Sequence, residues 1–540
     1  MKYRLLSIFT LFLPLLTFAQ ETTEKGLDER VNDAFMPFAV WWEGFILTTI
    51  PIGSYNVPIV LILLVFGATF FTLYFKFPNI LKFPLAIQVV RGKFEEVEMY
   101  GLEKVELHMT EDGDIPDTIR DESEEGEVSH FQALATAVSG TVGLGNIAGV
   151  AVAIALGGPG ATFWMIICGL IGMSTKFVEC TLGVKYRDLD KNGVVHGGPM
   201  YYLSRGLEKK GLKNLGKVLA VIFAVLCVGA SFGGGNAFQS NQAAVQISTM
   251  LNLQGGAIGV IIGIFLAILV GIVIIGGIKK IASVTEKIVP FMAIIYVLAS
   301  LVIIFANIKY IGDAISMIFA GAFTPEAGLG GIIGVIIVGF QRAAFSNEAG
   351  AGSASIAHSA VKTKYPASEG LVALMEPFID TVVICTMTAL VIIFFNMDAG
   401  AFDYGNAVGS TVLINESGTY VGGVDLTSMA YDSVIPGFRY VLTIAIILFA
   451  FSTMISWSYY GLQSWKYLFG RGRTADMMYK VLFLVFVVIG AAATLDAVIK
   501  FSDAMILALV FPNMVGLLIL FPRVNDELKR YMKAIKRVYS

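Results

Sequence analysis

Residues Ser139–Gly149, SGTVGLGNIAG, place four glycines and an asparagine in the middle of an apolar segment that is otherwise long enough to span a bilayer. Glycine disfavours helix by about 1 kcal/mol per residue relative to alanine. Non-helical backbone at membrane depth survives only where it lines a polar cavity or is buried in protein. The segment is therefore predicted to be a broken helix, and the break to mark a site. Residues 346–354, SNEAGAGSA, have the same character later in the chain, and paired interruptions in two halves of a chain point to a transporter's binding site. Small residues also let membrane helices approach closely. Packing alone gives no reason for Asn146, Asn347 and Glu348 to stand inside the two stretches.

The rest of the chain agrees with a membrane setting. Of 540 residues, 56% are hydrophobic and 15% charged, with a mean hydropathy of +0.75, which is outside the range of soluble domains. The expectation is an all-α polytopic membrane protein whose surroundings are a lipid bilayer. A net charge of −3 without a basic stripe excludes nucleic acid as a partner. Cys168, Cys180, Cys227 and Cys385 fall inside apolar runs, where they read as small buried hydrophobes. The four histidines stand singly, without cysteine or acidic neighbours at ligand spacing. No transition metal and no organic cofactor is expected, and the lack of a nucleophile–base pair or metal cluster argues against an enzyme.

Residues 1–19 read as a secretory signal peptide with cleavage after Ala19: Lys2 and Arg4 precede an apolar run, and Thr17-Phe18-Ala19 follows it. Residues 20–56 are then extracytoplasmic, with an interfacial helix over 34–52 carrying Trp41 and Trp42. About eleven transmembrane helices are expected, near 57–76, 131–156, 160–184, 216–245, 257–277, 286–307, 328–355, 367–396, 437–465, 478–496 and 501–521. An acidic insert, 92–128, is too charged to pack as a core, and reads as a cytoplasmic appendage or a disordered loop. Lys and Arg collect in 185–215, near 280, at 362–364, at 466–473 and in the basic tail 522–540, whereas 246–256 and 397–436 have none. By the positive-inside rule the N-terminus lies outside and the C-terminus is cytoplasmic, in a cell inner membrane. Beyond the extra helix 57–76, the spans divide at the two breaks into 131–307 and 328–521, a five-plus-five inverted repeat.

In the first break, glycine frees backbone amides and carbonyls, and the half-helix ends supply partial charges of opposite sign. A zwitterionic amino acid fits that field, its carboxylate on amides at a half-helix N-terminus. Asn146 offers a neutral side-chain oxygen of the kind that hard cations such as sodium take. Asn236, Gln239, Ser240 and Asn241, and the helix face of Ser452, Thr453, Ser456 and Trp457, are polar groups at membrane depth and hence candidates. Lys176 and Glu179, three residues apart, are expected to pair. Glu348, Arg342 and Asp380 stand near or beside the second break. Glu348 either tunes and gates the site or belongs to a satisfied network with Arg342. A titrating Glu348 leaves proton coupling open beside sodium coupling, and a channel is the rival class.

The stretches TAVSGTVGLGNIAGVAVAIALGGPGATFWM, TKFVECTLGVKYR, HGGPMYY, FSNEAGAGSASIAHSAVKT and FIDTVVICTMTALVI resemble the alanine or glycine:cation symporter family over residues 55–520. The segment 142–146 is also similar to the unwound first helix of neurotransmitter:sodium symporters. The resemblance implies sodium-coupled symport of alanine or glycine by a transporter that alternates access. It places substrate on Thr141, Gly143, Leu144, Gly145, Asn146, Gln239, Phe345, Ser346, Asn347, Thr453 and Trp457, with Trp457 and Phe345 as walls for a small side chain. Sodium falls on Ser139, Val142, Asn146, Ser452 and Thr453. The signal peptide and the long acidic insert depart from the compact family pattern.

Overall fold

A computed structural model of the protein describes residues 25–52, 55–101, 126–190, 193–323 and 331–539. The signal-peptide reading and most of the acidic insert fall outside the described residues. Among these, seven helices are long and apolar enough to cross a bilayer, and the bent pair His130–Thr141 and Gly145–Gly157, at 49° to each other, makes an eighth. The segments expected at 57–76, 257–277 and 328–355 form the shorter apolar helices Ile59–Tyr74, Ile258–Ile274 and Gly331–Asn347. The protein is a mostly helical, multi-pass membrane protein.

Local sequence sets the ends of these elements. Ser129 caps the first half-helix, accepting from the Gln132 amide while the Gln132 side chain accepts from the Ser129 amide, the reciprocal arrangement that satisfies two orphan donors. At the second break, helix Gly331–Asn347 stops where Glu348 turns left-handed (φ 55°), and Gly350 and Gly352 follow at φ 97° and 83°. Glycine reaches such angles without a Cβ clash. The chain resumes as the short helix Ser355–His358 and then the long span that begins with Pro366–Ala373.

Two regions differ from their sequence reading. The interfacial helix covers Leu27–Ile46, earlier than expected, and the chain after it forms a hairpin, Thr49–Ile52 against Tyr55–Pro58. This helix is tied to the bundle because the Asp28 carboxylate accepts from the amides of Gly259 and Val260 at 3.0 and 3.1 Å, the free donors at the start of Ile258–Ile274. The stretch 397–436 is more than a loop: three short antiparallel strands lead into helix Gly423–Val434, whose Thr427 hydroxyl donates to the Ile147 carbonyl at 3.1 Å. That helix therefore lies over the first break.

Lys176 does not pair with Glu179. Its ammonium sits 3.0 Å from Glu376, both side chains fully buried. Glu179 instead accepts from the Gly350 amide at 3.0 Å and the Asn513 side chain at 2.8 Å. Both residues lie in helix Gly160–Lys185, and each meets a different partner brought in by the second break and the spans around it. Removing one partner of a buried ion pair costs about 3–5 kcal/mol, because it strands the other charge. Lys176→Met is therefore expected to lower the thermal midpoint of the detergent-solubilised protein far more than Glu179→Gln, whose partners are neutral donors. Equal losses would contradict the pairing.

Candidate functional site

The first break is a short turn between two half-helices. The first ends at Thr141, whose hydroxyl bonds back to Ala137 and Val138 at 3.3 Å. Val142 returns its amide to Val138 at 2.6 Å and leaves the helix at ψ 82°. Gly143 then donates its amide to the Asn146 side-chain oxygen at 2.9 Å, and Leu144 donates to Gln239 Oε1 at 2.9 Å. Gln239 is fixed by its own amide on the Gly234 carbonyl at 2.8 Å. Two amides of the unwound turn are thus held by side chains, which is what backbone at this depth requires.

Gly143 and Gly145 are positions of close approach. A Cβ on Gly143 would collide with Thr453 Oγ1 and lie 3.0 Å from Gln239 Oε1; one on Gly145 would lie 3.4 Å from the Phe345 ring. Gly235 is filled by Trp457 in the same sense. The missing side chains let helix Phe438–Phe469 and the second broken segment reach the first break.

Helix Phe438–Phe469 brings the hydroxyl cluster. Ser139 Oγ donates to the Ser452 carbonyl at 2.7 Å, and Thr453 Oγ1 donates to the Ser139 carbonyl at 2.8 Å. Ser452 Oγ donates to Phe449 at 3.0 Å. One turn further on, Trp457 Nε1 reaches the Gly140 carbonyl at 3.2 Å and Glu348 Oε1 at 2.9 Å. The Tyr460 hydroxyl, buried beside Gly140, has no hydrogen-bond partner among the described residues. Phe345 stands edge-on to Phe238 with centroids 5.2 Å apart, and the Arg342 guanidinium lies 5.6 Å from its centroid.

Asp380 joins the two breaks. Its Oδ1 accepts from Asn146 Nδ2 at 2.6 Å, and its Oδ2 accepts from Ser346 at 2.8 Å and Thr381 at 2.7 Å. Asp380 is fully buried, and no ion pair to it is present among the described residues. It lies on the π-helical segment Phe378–Cys385. Wider π turns also occur at Gly145–Gly149 and Gly233–Ala237, beside Asn146 and Gln239, and such turns are frequent at functional sites. In the sequence reading Asp380 stood beside the break without a role. A carboxylate inside the apolar run FIDTVVIC was the available signal.

The structure thus brings Ser139, Ser452 and Thr453 together, and sets Gly143, Leu144, Gln239 and Thr453 around one turn. Asn347 points elsewhere: its amide donates to Thr381 at 2.9 Å while its oxygen accepts from Ala349 at 2.9 Å. The Asn146 oxygen faces the Gly143 amide, so its nitrogen is the group turned toward Asp380. Glu348 forms no network with Arg342. Arg342 pairs with Asp503 on helix Leu495–Ala508, where Gln341 also donates at 3.0 Å, and Glu348 holds Trp457 and Ser353.

The model of the sodium:alanine symporter family matches residues 46–539. Sodium/alanine symporter AgcS of Methanococcus maripaludis is 43% identical over 413 residues, covering 76% of this chain and 86% of the relative. Putative sodium/proton-dependent alanine carrier protein YrbD of Bacillus subtilis is 37% identical over 420 residues, 77% and 83% of the two chains. Probable sodium/glutamine symporter GlnT of the same organism is 33% identical over 411 residues, 76% and 80%.

The tight approach at Gly143 generates a test. Overpacking a buried contact costs about 1–3 kcal/mol, so Gly143→Ala is expected to lower the thermal midpoint. Gly149→Ala, where a Cβ meets nothing within 4 Å, leaves it unchanged or slightly raised. The reverse order would mean that the turn is not packed as described.

Proposed function

The chain belongs to the sodium:alanine symporter family, and from that premise we propose that it carries a small neutral amino acid, alanine or glycine, into the cell with sodium by alternating access. The family is one of sodium-coupled transporters rather than enzymes. The observation that most supports the specific reading is the unwound turn Val142–Asn146, built against hydroxyls on one side and a buried carboxylate on the other. We place the chain in an inner membrane with its C-terminus cytoplasmic, and its spans after 57–76 in a five-plus-five inverted repeat.

In this proposal the substrate carboxylate meets the amide end of the second half-helix near Gly145, where the helix dipole favours an anion. Its side chain lies between Phe345 and Trp457. Sodium takes the cluster of Ser139, Val142, Ser452 and Thr453, whose carbonyls and hydroxyls are hard neutral oxygens. The Asp380 carboxylate, with the Ser346 and Thr381 hydroxyls beside it, gives a second oxygen cluster, charged and at the junction of both breaks. A carboxylate buried without a cationic partner is costly, and a bound cation offsets that cost.

Two aromatic walls discriminate by steric exclusion. An apolar pocket alone separates substrates that differ by one methylene by only about 1–3 kcal/mol. Trp457→Leu in proteoliposomes is therefore expected to admit larger amino acids as competitors of alanine uptake, with weaker alanine uptake itself. An unchanged competition ranking would remove Trp457 from the wall.

Asp380→Asn keeps the shape and removes the charge. It is expected to raise the sodium concentration for half-maximal uptake by about tenfold, equivalent to 1.4 kcal/mol, with the substrate ranking intact. Thr453→Ala acts in the same direction. Wild-type protein that takes up neither alanine nor glycine under an inward sodium gradient would overturn the proposal as a whole.

A further inference from the structure

Away from the pocket, ionisable side chains from distant parts of the chain form a row. The Tyr531 hydroxyl, on the C-terminal helix, donates to Glu98 Oε1. Glu98 Oε2 lies 2.9 Å from His130 Nε2, and His130 Nδ1 meets Glu369 Oε2. The other oxygen of Glu369 lies 2.5 Å from His358 Nδ1. His358 Nε2 is 3.6 Å from Glu376 Oε2, and Glu376 Oε1 accepts from Lys176 at 3.0 Å. Glu98, Glu369, His358, Glu376 and Lys176 are fully buried, and the His130 side chain is 11% exposed.

The geometry fixes the protonation of His130. A neutral imidazole has one N–H and one lone pair, and only the imidazolium donates from both nitrogens. Both ring nitrogens of His130 face carboxylate oxygens, so a neutral ring would set one lone pair against another. His358 also stands between two carboxylates, bonded to Glu369 through Nδ1, with its Nε2 3.6 Å from Glu376 and making no hydrogen bond. With both rings protonated, positive and negative groups alternate from Glu98 to Lys176 and cancel. Without the His130 proton, a buried negative charge is left uncompensated, which is costly.

His130 is also the member of the row that meets solvent. A pocket of about 310 Å³ is lined by Glu98, His130, Gln132, Glu127 and Lys362. The bonds of His130 cross elements. It opens the first half-helix, whose other end is the first break; Glu98 lies in residues 95–101, and Glu369 lies on Pro366–Ala373 beyond the second break.

We propose that His130 is a proton-binding site of the transport cycle: it holds a proton while the pocket-side ends of these three elements are joined, and releases it through the pocket when they part. This rests on the transport reading for its cycle, but the bound proton itself is a property of the resting protein. The charged and titratable groups facing His130 are Glu98, with Tyr531 behind it, Glu369 and His358. Glu95, Glu127 and Lys362 stand on the pocket wall, Glu376 and Lys176 continue the row, and Glu286 accepts from Gln132 at 2.9 Å. The joined arrangement, with two carboxylates on one ring, holds the proton more tightly than the parted one. Acid on the pocket side therefore favours the joined state, and alkali releases it.

The test is nitrogen-15 NMR of histidine-labelled protein in vesicles, read with uptake by the same preparation. At about pH 8, where an unperturbed histidine is neutral, wild type is expected to show two imidazolium signals. His196 adds none, since burial lowers its pKa below the ordinary value. His130→Gln removes one signal. Glu98→Gln, a milder change should that variant not fold, lowers the imidazolium fraction of one signal at the same pH. In uptake, wild type slows several-fold as the pH on the pocket side falls from about 8 to about 6, and Glu98→Gln flattens that dependence. Neutral tautomers only, or an imidazolium signal indifferent to both variants, would overturn the site. A pH-independent uptake with the signals present would overturn its part in the cycle, and absent uptake with the signals present would instead count against the transport reading.

Discussion

The structure turns on one carboxylate, Asp380, whose two oxygens take hydrogen bonds from both interrupted segments: Asn146 of the first and Ser346 of the second. A carboxylate moved out of water is expensive unless donors replace the water it leaves. Here Asn146, Ser346 and Thr381 supply them, and they come from stretches far apart in sequence. Rearranging either break takes a donor from the carboxylate they share. The side chain that is costly to bury is thus the one that joins the two breaks.

Around that junction the backbone is unwound only where something replaces its lost hydrogen bonds. Gln239 takes the Leu144 amide, Asn146 takes the Gly143 amide, and Thr427 donates to the Ile147 carbonyl from the helix lying over the break. Glycine does two jobs at this place. Its low helix propensity lets the turn form, and its missing side chain at 143 and 235 lets Thr453 and Trp457 come close enough to take part. The second break uses a different device, a left-handed Glu348 whose carboxylate accepts from Trp457.

Much of this was legible in the sequence wherever the signal is local. The glycine run marked the first break, SNEAGAGSA marked the second, and the spacing of Thr453 and Trp457 put them on one helix face; the structure packs Thr453 against Gly143 and Trp457 against Gly140 and Glu348. What failed were pairings between distant residues. Lys176 has an acidic neighbour three positions on, yet bonds to Glu376 two hundred residues away. Arg342 is six residues from Glu348 in sequence but pairs with Asp503. The histidines looked isolated because the carboxylates facing His130 arrive from residues 98 and 369. Burial forces ionisable groups to find partners, while the fold decides which ones, so local spacing carries little of that information.

Linkage gives the most direct test of the central claim, that amino acid and cation share a site around the Asp380 junction. If both ligands bind one coupled arrangement, each must raise the affinity of the other by the same factor. Equilibrium binding of alanine to the purified wild-type protein, with choline replacing sodium at constant ionic strength, measures this. The alanine Kd is expected to fall by about tenfold or more as sodium is raised, a coupling of about 1.4 kcal/mol, and alanine is expected to tighten sodium binding by the same factor. An alanine Kd indifferent to sodium would contradict it.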